Sequence, residues 1–211
     1  DKINLIQNKA LELSLFLTLP ASAALLIASE EIISALFGYG SFDQESAINS
    51  GKALYYFALG LPAFSLIKVF SSFFFANHDT KIPFYISLFS VLTNIVISIS
   101  YFNEIGFIII PIATTISSWF NAILLFAFLK NRDLFSFNNI FLVRFVKIII
   151  ASLLMAIFFN FLIIYFKYEL AFNQSIKSFY LILSVILSLL FYLFVSYWIK
   201  AFKTSDIKLK Y

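Results

Sequence analysis

Residues 54–76 read LYYFALGLPAFSLIKVFSSFFFA, an apolar run that contains a single charged residue, Lys68. A helix needs about 20 apolar residues to cross a bilayer core about 30 Å thick, and this run is long enough. It does not alternate between polar and apolar residues, as a transmembrane β-strand of about ten residues would. The stretch therefore predicts a transmembrane α-helix that carries one cation.

Five further runs of similar composition surround this one, at residues 11–29, 82–102, 105–129, 139–166 and 176–200. The connections between the runs are short and rich in turn-forming residues, so consecutive helices should be antiparallel. We therefore predict an all-α, polytopic membrane protein with six transmembrane helices.

The composition of the whole chain supports a membrane protein. Of its 211 residues, 62% are hydrophobic and 12% are charged, whereas soluble domains have about 45–50% apolar and about 25% charged residues. The net charge of +4 is spread between the apolar runs and forms no basic face, so no nucleic acid partner is expected. These features exclude soluble globular and disordered proteins.

Catalytic chemistry finds no support in the sequence. The chain has no Cys and a single His, His78, which excludes thiol catalysis and Cys/His zinc sites. The adjacent acids Glu30 and Glu31 diverge on a helix and cannot act as an acid–base pair. We expect neither an enzyme nor a bound cofactor or metal.

The basic residues predict the orientation. If the chain starts in the cytoplasm, only Lys52, Lys167 and Lys177 lie on the outer side. Eleven of the 15 basic residues fall on the cytoplasmic side: Lys2, Lys9, Lys81, Lys130, Arg132, Arg144, Lys147, Lys200, Lys203, Lys208 and Lys210. The positive-inside rule then places both ends of this chain in the cytoplasm.

The start of the chain allows two interpretations. Lys2, Lys9 and the small residues 21–23 resemble a secretory signal peptide, but the apolar run continues to Ala28, which favours a membrane helix. Because the first residue is Asp1 and the sole Met is Met155, we expect this chain to be the C-terminal piece of a longer protein.

Lys68 is the candidate functional residue. A lysine at the centre of a span costs about 2.5–3.5 kcal/mol on insertion scales. It could simply extend towards the interface, but intramembrane cations usually face a hydrated path for a substrate or ion, and we favour that interpretation. Ser65 and Ser72 share its helix face at i−3 and i+4.

The next two predicted helices also carry polar residues, and their most prominent amides are Asn94 and Asn121. Such groups often join membrane helices by hydrogen bonds, and for any single serine or asparagine this structural role is favoured. The candidate substrate-binding residues are Lys68, Ser65, Ser72, Asn94 and Asn121. Pro20 and Pro62 should bend the first two helices and free backbone carbonyls.

Five motifs occur in the order and spacing of a known family. They are Phe37-Gly38-Tyr39-Gly40-Ser41-Phe42, Tyr56-Phe57-Ala58-Leu59-Gly60-Leu61-Pro62-Ala63-Phe64, Lys68-Val69-Phe70, Asp79-Thr80-Lys81-Ile82-Pro83 and Trp119-Phe120-Asn121-Ala122. With them the chain resembles the MurJ (MviN) lipid II flippases, members of the multidrug/oligosaccharidyl-lipid/polysaccharide exporter superfamily. The resemblance is strongest over residues 11–130.

The resemblance implies the C-terminal lobe of a fourteen-helix, two-lobed exporter in the bacterial inner membrane. Residues 1–130 would form four helices of the transport lobe, and residues 131–211 two additional helices with a basic cytoplasmic tail. The implied partners are lipid II, membrane lipids and the missing N-terminal lobe. Lipid II, an undecaprenyl-pyrophosphate-linked disaccharide-pentapeptide, would be flipped to the outer leaflet by alternating access, with Lys68 in a cationic cavity.

Two alternatives remain open at this point. The chain could belong to an exporter of another polyprenyl-linked oligosaccharide or of drugs in the same superfamily, although a cationic Lys68 argues against cationic drugs. It could also be a non-transporting membrane scaffold, in which the helices only pack against partners.

Overall fold

The computed structural model describes residues 2–201, and every regular element within that range is helical. The tail residues Lys203, Lys208 and Lys210, which contribute to the predicted orientation, lie outside the described residues. The α-helices of the described part are α1 (Lys2–Ile27), α2 (Ser29–Phe37), α3 (Gln44–Ala76), α4 (Lys81–Ile105), α5 (Ile109–Asn131), α6 (Asn139–Tyr165) and α7 (Lys177–Trp198).

The predicted all-α, polytopic membrane architecture is confirmed. Five segments of the described chain are long and apolar enough to cross a membrane, and one of them, Lys81–Asn131, has 51 residues. A straight helix of that length would measure roughly 76 Å, more than twice the hydrocarbon thickness. The segment instead contains α4 and α5, which pack against each other. Each of the six predicted spans therefore corresponds to one long helix.

A glycine makes the reversal between α4 and α5. Gly106 follows α4 with φ 73° and ψ −155° and begins a 3₁₀ turn, Gly106–Ile108, that leads into α5. This region of backbone space is essentially restricted to glycine. The hairpin thus depends on a residue without a Cβ atom.

The region between the first two spans contains structure that the hydropathy pattern did not predict. The nine residues of α2 are too few to cross a bilayer, and its first turn carries Glu30 and Glu31, which favour a helix N-terminus. Helix α3 begins at Gln44, ten residues before the predicted boundary at 54, because the Asp43 carboxylate accepts a 2.7 Å hydrogen bond from the Ser46 amide.

The chain divides into two compact units, which are described separately. Unit 1 comprises the residues up to Thr18 together with Ala53–Asn138, and unit 2 comprises Leu19–Lys52 and the chain from Asn139 onward. The predicted functional division, into a transport lobe and two additional helices, stays a prediction.

In unit 1, amide side chains of α1 bind the segment that follows α5. Asn8 Nδ2 donates to the Ser136 carbonyl at 2.8 Å, and Gln7 Nε2 donates to the Leu134 carbonyl at 3.1 Å. Nearby phenylalanine rings lie with their centroids 5.0–6.3 Å apart: Phe70, Phe73, Phe126, Phe135 and Phe137. The interior of unit 1 therefore contains both an aromatic cluster and an amide network.

In unit 2, α6 and α7 pack on each other through Phe158 and Phe191, whose stacked rings are 4.6 Å apart, and through the buried side chains of Phe159 and Tyr192. The outer faces of the helices are apolar in both units. Ile99, Ile157 and Phe194 are each at least two-thirds exposed, which suits helices that face hydrocarbon.

Candidate functional site

Lys68 lies on α3 within unit 1 and is exposed. No residue in the described part of the chain forms an ion pair with it. An unneutralised ammonium group on an apolar helix is costly in a membrane unless it faces water or an anion. Its placement is that of a group available to an anionic ligand.

The two serines predicted to flank Lys68 differ in their environments. Ser65 is half-buried, and its hydroxyl forms a very short hydrogen bond with that of Ser14 on α1. Ser72 is exposed, and its hydroxyl donates to the Val69 carbonyl of its own helix at 2.6 Å. Ser65 therefore joins two helices, whereas Ser72 remains at the surface beside Lys68.

Asn94 connects α4 to α5. Its Nδ2 donates to Thr114 Oγ1 at 3.0 Å and lies 3.5 Å from Ser117 Oγ. Close by, the buried Ser90 hydroxyl donates to the Ser117 carbonyl at 2.7 Å. These bonds between helices supply the structural role that polar residues often have in membranes.

Asn121 is buried on α5 with 6% of its surface exposed, and its Oδ1 has no hydrogen-bond partner. An unsatisfied buried oxygen costs about 1–3 kcal/mol. In this conformation the oxygen is closed off from any ligand.

Within the described residues, no hydrogen bond joins any two of the five predicted site residues.

Helix α5 approaches α3 closely at Gly60, eight residues before Lys68. A Cβ atom at Gly60 would lie 2.9 Å from Thr115 Oγ1. Thr115 donates to the Tyr56 carbonyl at 2.6 Å, and the Trp119 indole donates to the Leu59 carbonyl at 3.0 Å. Small residues allow such close approach between membrane helices, and the contact fixes the helix that carries Lys68.

Pro62 lies inside α3, which continues as a helix through it.

Lys177, at the start of α7, is a second lysine of interest, and the hydropathy pattern did not predict its burial. Only 1% of its surface is exposed. Its Nζ donates to the Gly38 carbonyl at 2.7 Å and to the Phe172 carbonyl at 2.5 Å, and it lies 4.6 Å and 4.4 Å from the ring centroids of Tyr39 and Phe172. The prediction had placed Lys177 among the outer basic residues, with no indication that it is buried. Gly38 lies 139 residues earlier in the chain, so no local sequence pattern indicates this contact.

Two carboxyl groups outside the apolar runs have shifted pKa values in unit 2. Burial raises the pKa of Glu31 above its usual value, and the neighbouring Glu30 adds to that rise. Hydrogen bonds from Ser46 lower the pKa of Asp43. Among the described residues, no group of three or more His, Asp and Glu side chains could hold a metal ion.

Comparisons with known proteins identify relatives of the chain. The model of the family "Lipid II flippase MurJ" matches residues 1–181. A probable lipid II flippase MurJ of Rhizobium meliloti (strain 1021) is 41% identical over 151 residues, which cover 72% of this chain and 28% of that protein. That of Rickettsia prowazekii (strain Madrid E) is 37% identical over 123 residues, or 58% of this chain and 24% of that protein.

A solved structure is also similar. The lipid II flippase MurJ in an inward closed conformation superposes with a TM-score of 0.74 and 27% identity, over 92% of this chain and 38% of that one. The chain thus spans about a quarter of the length of these two curated relatives.

The long apolar helices define a multi-pass α-helical membrane protein. The family match extends over most of its length. The chain belongs to the MurJ lipid II flippase family.

Proposed function

We propose that this chain is part of a lipid II flippase, and that the whole protein moves lipid II from the inner to the outer leaflet by alternating access. Membership of the MurJ family carries the proposal. The feature of this chain that fits it is the exposed Lys68 on α3, which has no ion-pair partner among the described residues. As a transporter, the protein would change the position of its substrate and not its covalent structure.

The role of Lys68 follows from the charge of the ligand. A pyrophosphate carries negative charge that cannot enter hydrocarbon unpaired, and an ammonium group forms strong charge-assisted hydrogen bonds with phosphate oxygens. Ser72, exposed one turn further along α3, is placed to add a hydroxyl. Ser65 and Asn94, which form hydrogen bonds to neighbouring helices, would hold the helices in place around this group.

A single lysine does not neutralise a pyrophosphate, so further cations would come from an N-terminal lobe outside this chain. We place the protein in the bacterial inner membrane with the α3–α4 connection in the cytoplasm and the α6–α7 connection outside, as the distribution of basic residues favours.

The test is rescue of a flippase-depleted bacterial strain by the full-length protein. Lys68→Gln should abolish rescue while the protein still inserts into the membrane, because the substrate's phosphates lose their partner. Lys52→Gln, an exposed lysine on the same helix but outside the apolar run, is the matched control and should rescue fully. Full rescue by Lys68→Gln would show that Lys68 only extends to the interface and would remove the basis for its role.

The orientation has a separate test, because this chain contains no cysteine to interfere. Single cysteines replace Ser175, in the α6–α7 connection, and Thr80, between α3 and α4; both positions are exposed. A membrane-impermeant maleimide added to intact spheroplasts should label Ser175→Cys and leave Thr80→Cys unlabelled until the membrane is opened. The reverse pattern would overturn the proposed orientation.

A further inference from the structure

A small acidic pocket lies in unit 2, lined by the starts of α2 and α3 and by the connection between α6 and α7. Its volume is about 130 Å³. Leu170 and Phe172 form part of its apolar wall, and its polar lining residues are Glu30, Glu31, Ser34 and Gln44. Among the described residues, no basic side chain lines it. We refer to it as the α2–α3 acidic pocket.

A glycine of α3 allows the first turn of α2 to lie directly against α3. A Cβ atom at Gly51 would lie 2.7 Å from Glu30 Cγ and 2.9 Å from Glu30 Cα. Gln44 begins α3 about two turns before Gly51, and Ser34 follows Glu30 by about one turn of α2. The backbone contact therefore brings polar side chains of two helices to one pocket.

The two carboxylates of the pocket lack a counter-charge among the described residues, none of which forms an ion pair with either. Lys177, the buried lysine of the same unit, donates instead to the Gly38 and Phe172 carbonyls. The charge of Glu30 disfavours that of the half-buried Glu31. A cation in the pocket would offset this repulsion.

A buried hydroxyl in the wall of the pocket also points to a ligand. Ser34 has only 7% of its surface exposed, and its Oγ has no hydrogen-bond partner. Buried polar groups are nearly always bonded, because an unsatisfied one costs free energy. A hydroxyl oxygen can bind a hard cation, so an ion in the pocket would supply the partner that Ser34 lacks.

From these features we infer that the α2–α3 acidic pocket binds a calcium ion. Carboxylate and amide oxygens suit calcium and magnesium. Calcium takes about six to eight oxygen ligands in a flexible geometry, whereas magnesium requires a nearly ideal octahedron. The divergence of Glu30 and Glu31 on α2 excludes an acid–base pair, but it suits the flexible calcium shell. Such an ion would be an exception to the expectation that the chain binds no metal.

The proposed ligands are the carboxylates of Glu30 and Glu31, the hydroxyl of Ser34 and the amide oxygen of Gln44, with water completing the shell. Only two of them are charged. We therefore expect a dissociation constant of about 0.1–1 mM, as in extracellular calcium modules.

The size of the pocket favours a hydrated ion over an organic ligand. A water occupies about 30 Å³ in the liquid, so a volume of about 130 Å³ would hold an ion with about three waters. Sites for organic molecules usually measure roughly 300–1,000 Å³. The inference does not rest on the proposed transport, because an ion would bind unit 2 whether or not the protein moves lipid II.

The experiment measures thermal unfolding of the purified full-length protein in a non-ionic detergent, first with a chelator and then with about 5 mM calcium chloride. Calcium should raise the midpoint by about 2 °C or more. Glu30→Gln/Glu31→Gln should lose most of this rise, and so should Ser34→Ala. The matched control Glu45→Gln/Glu104→Gln removes the same charge from two exposed glutamates that do not line the pocket, and it should keep the full rise.

Two further measurements separate loss of binding from loss of structure. In chelator, Ser34→Ala should unfold close to the parent midpoint, because its hydroxyl has no partner to lose. Hydrogen exchange of the parent protein gives a local result that requires no variant: calcium should slow exchange of the α2 amides and leave those of α4 unchanged.

Four outcomes would overturn the inference. Calcium might leave the parent midpoint and the α2 amides unchanged, which would mean that no ion binds. An equal rise in the double variant Glu30→Gln/Glu31→Gln, or a full rise in Ser34→Ala, would place the ion outside this pocket. An equal rise with sodium chloride at the same ionic strength would show that salt only screens the two carboxylates.

Discussion

The ammonium group of Lys177 donates a 2.7 Å hydrogen bond to the carbonyl oxygen of Gly38, which joins the start of α7 to the end of α2. Space at Gly38 is so limited that a Cβ atom there would lie 2.9 Å from the same nitrogen. A buried lysine without an acidic partner among the described residues is thus satisfied by carbonyls and aromatic faces.

Lys177→Met should destabilise unit 2 by about 1.5–3 kcal/mol, because the Gly38 and Phe172 carbonyls lose a charged donor. Thermal unfolding in detergent would show this as a lower midpoint. Lys167→Met changes an exposed lysine of the preceding connection and should have little effect. Equal midpoints for the two variants would mean that the buried bonds contribute nothing.

Gly60→Ala should weaken the contact of α3 with α5 by about 1–3 kcal/mol, since the added methyl group meets Thr115 Oγ1 at 2.9 Å and the Phe64 ring at 3.1 Å. A double-mutant cycle with Thr115→Ala checks the cause. Removing the Thr115 hydroxyl relieves part of the overlap, so the double variant should be more stable than the sum of the single effects. Strict additivity would indicate that the helices do not touch at this point.

The sequence favours a structural role for Asn121, as for any single polar residue of these helices. Because its Oδ1 has no hydrogen-bond partner, we expect this oxygen to contribute nothing to stability. Asn121→Leu keeps most of the volume and removes an unsatisfied oxygen, so it should leave stability unchanged or raise it by up to about 1 kcal/mol.

Ser90→Ala provides the contrast for Asn121, because its buried hydroxyl does have an acceptor. It should lower the unfolding midpoint. If Asn121→Leu lowered the unfolding midpoint more than Ser90→Ala does, the Asn121 oxygen would have to accept a hydrogen bond in the folded protein. That result would contradict its assignment as an unsatisfied oxygen.

The pH dependence of stability should contain opposite contributions from Glu31 and Asp43. Because the pKa of Glu31 is raised by burial, the folded state binds its proton more tightly than the unfolded state, and stability falls as pH rises above about 4.5, its unperturbed value. Asp43, whose pKa is lowered by Ser46, stabilises the fold above about 3.8 and loses that contribution as pH falls.

Glu31→Gln should therefore raise the unfolding midpoint at pH 7 and flatten its decline as pH rises above about 4.5. Asp43→Asn should lower the midpoint at pH 7, and its effect should shrink as pH falls below about 3.8. Glu45→Gln, at an exposed position of α3, serves as the control for removal of one negative charge. A steeper decline in Glu31→Gln would contradict the assignment.

The sequence predicted the long helices well because hydropathy over about 20 residues reports the cost of crossing a bilayer, and each apolar run meets that requirement by itself. The same criterion does not register α2 or the first ten residues of α3, whose charged residues are compatible with a helix but not with hydrocarbon. Their boundaries depend on local capping, as at Asp43.

The environments of single polar residues were harder to predict. Lys68 is exposed and Lys177 is buried, yet both are lysines beside apolar sequence. The difference arises from carbonyls far away in the chain, such as Gly38 for Lys177. Ser65 likewise meets Ser14, 51 residues earlier, and no periodicity within one helix reveals that pairing.

The glycine between α4 and α5 has a consequence for membrane topology. By reversing the chain between α4 and α5, Gly106 divides the apolar helical segment Lys81–Asn131, of 51 residues, into two crossings. The number of crossings, odd or even, determines the face of the membrane on which every later connection emerges. The side to which α6 and α7 present their basic ends is therefore determined at a residue that has no side chain.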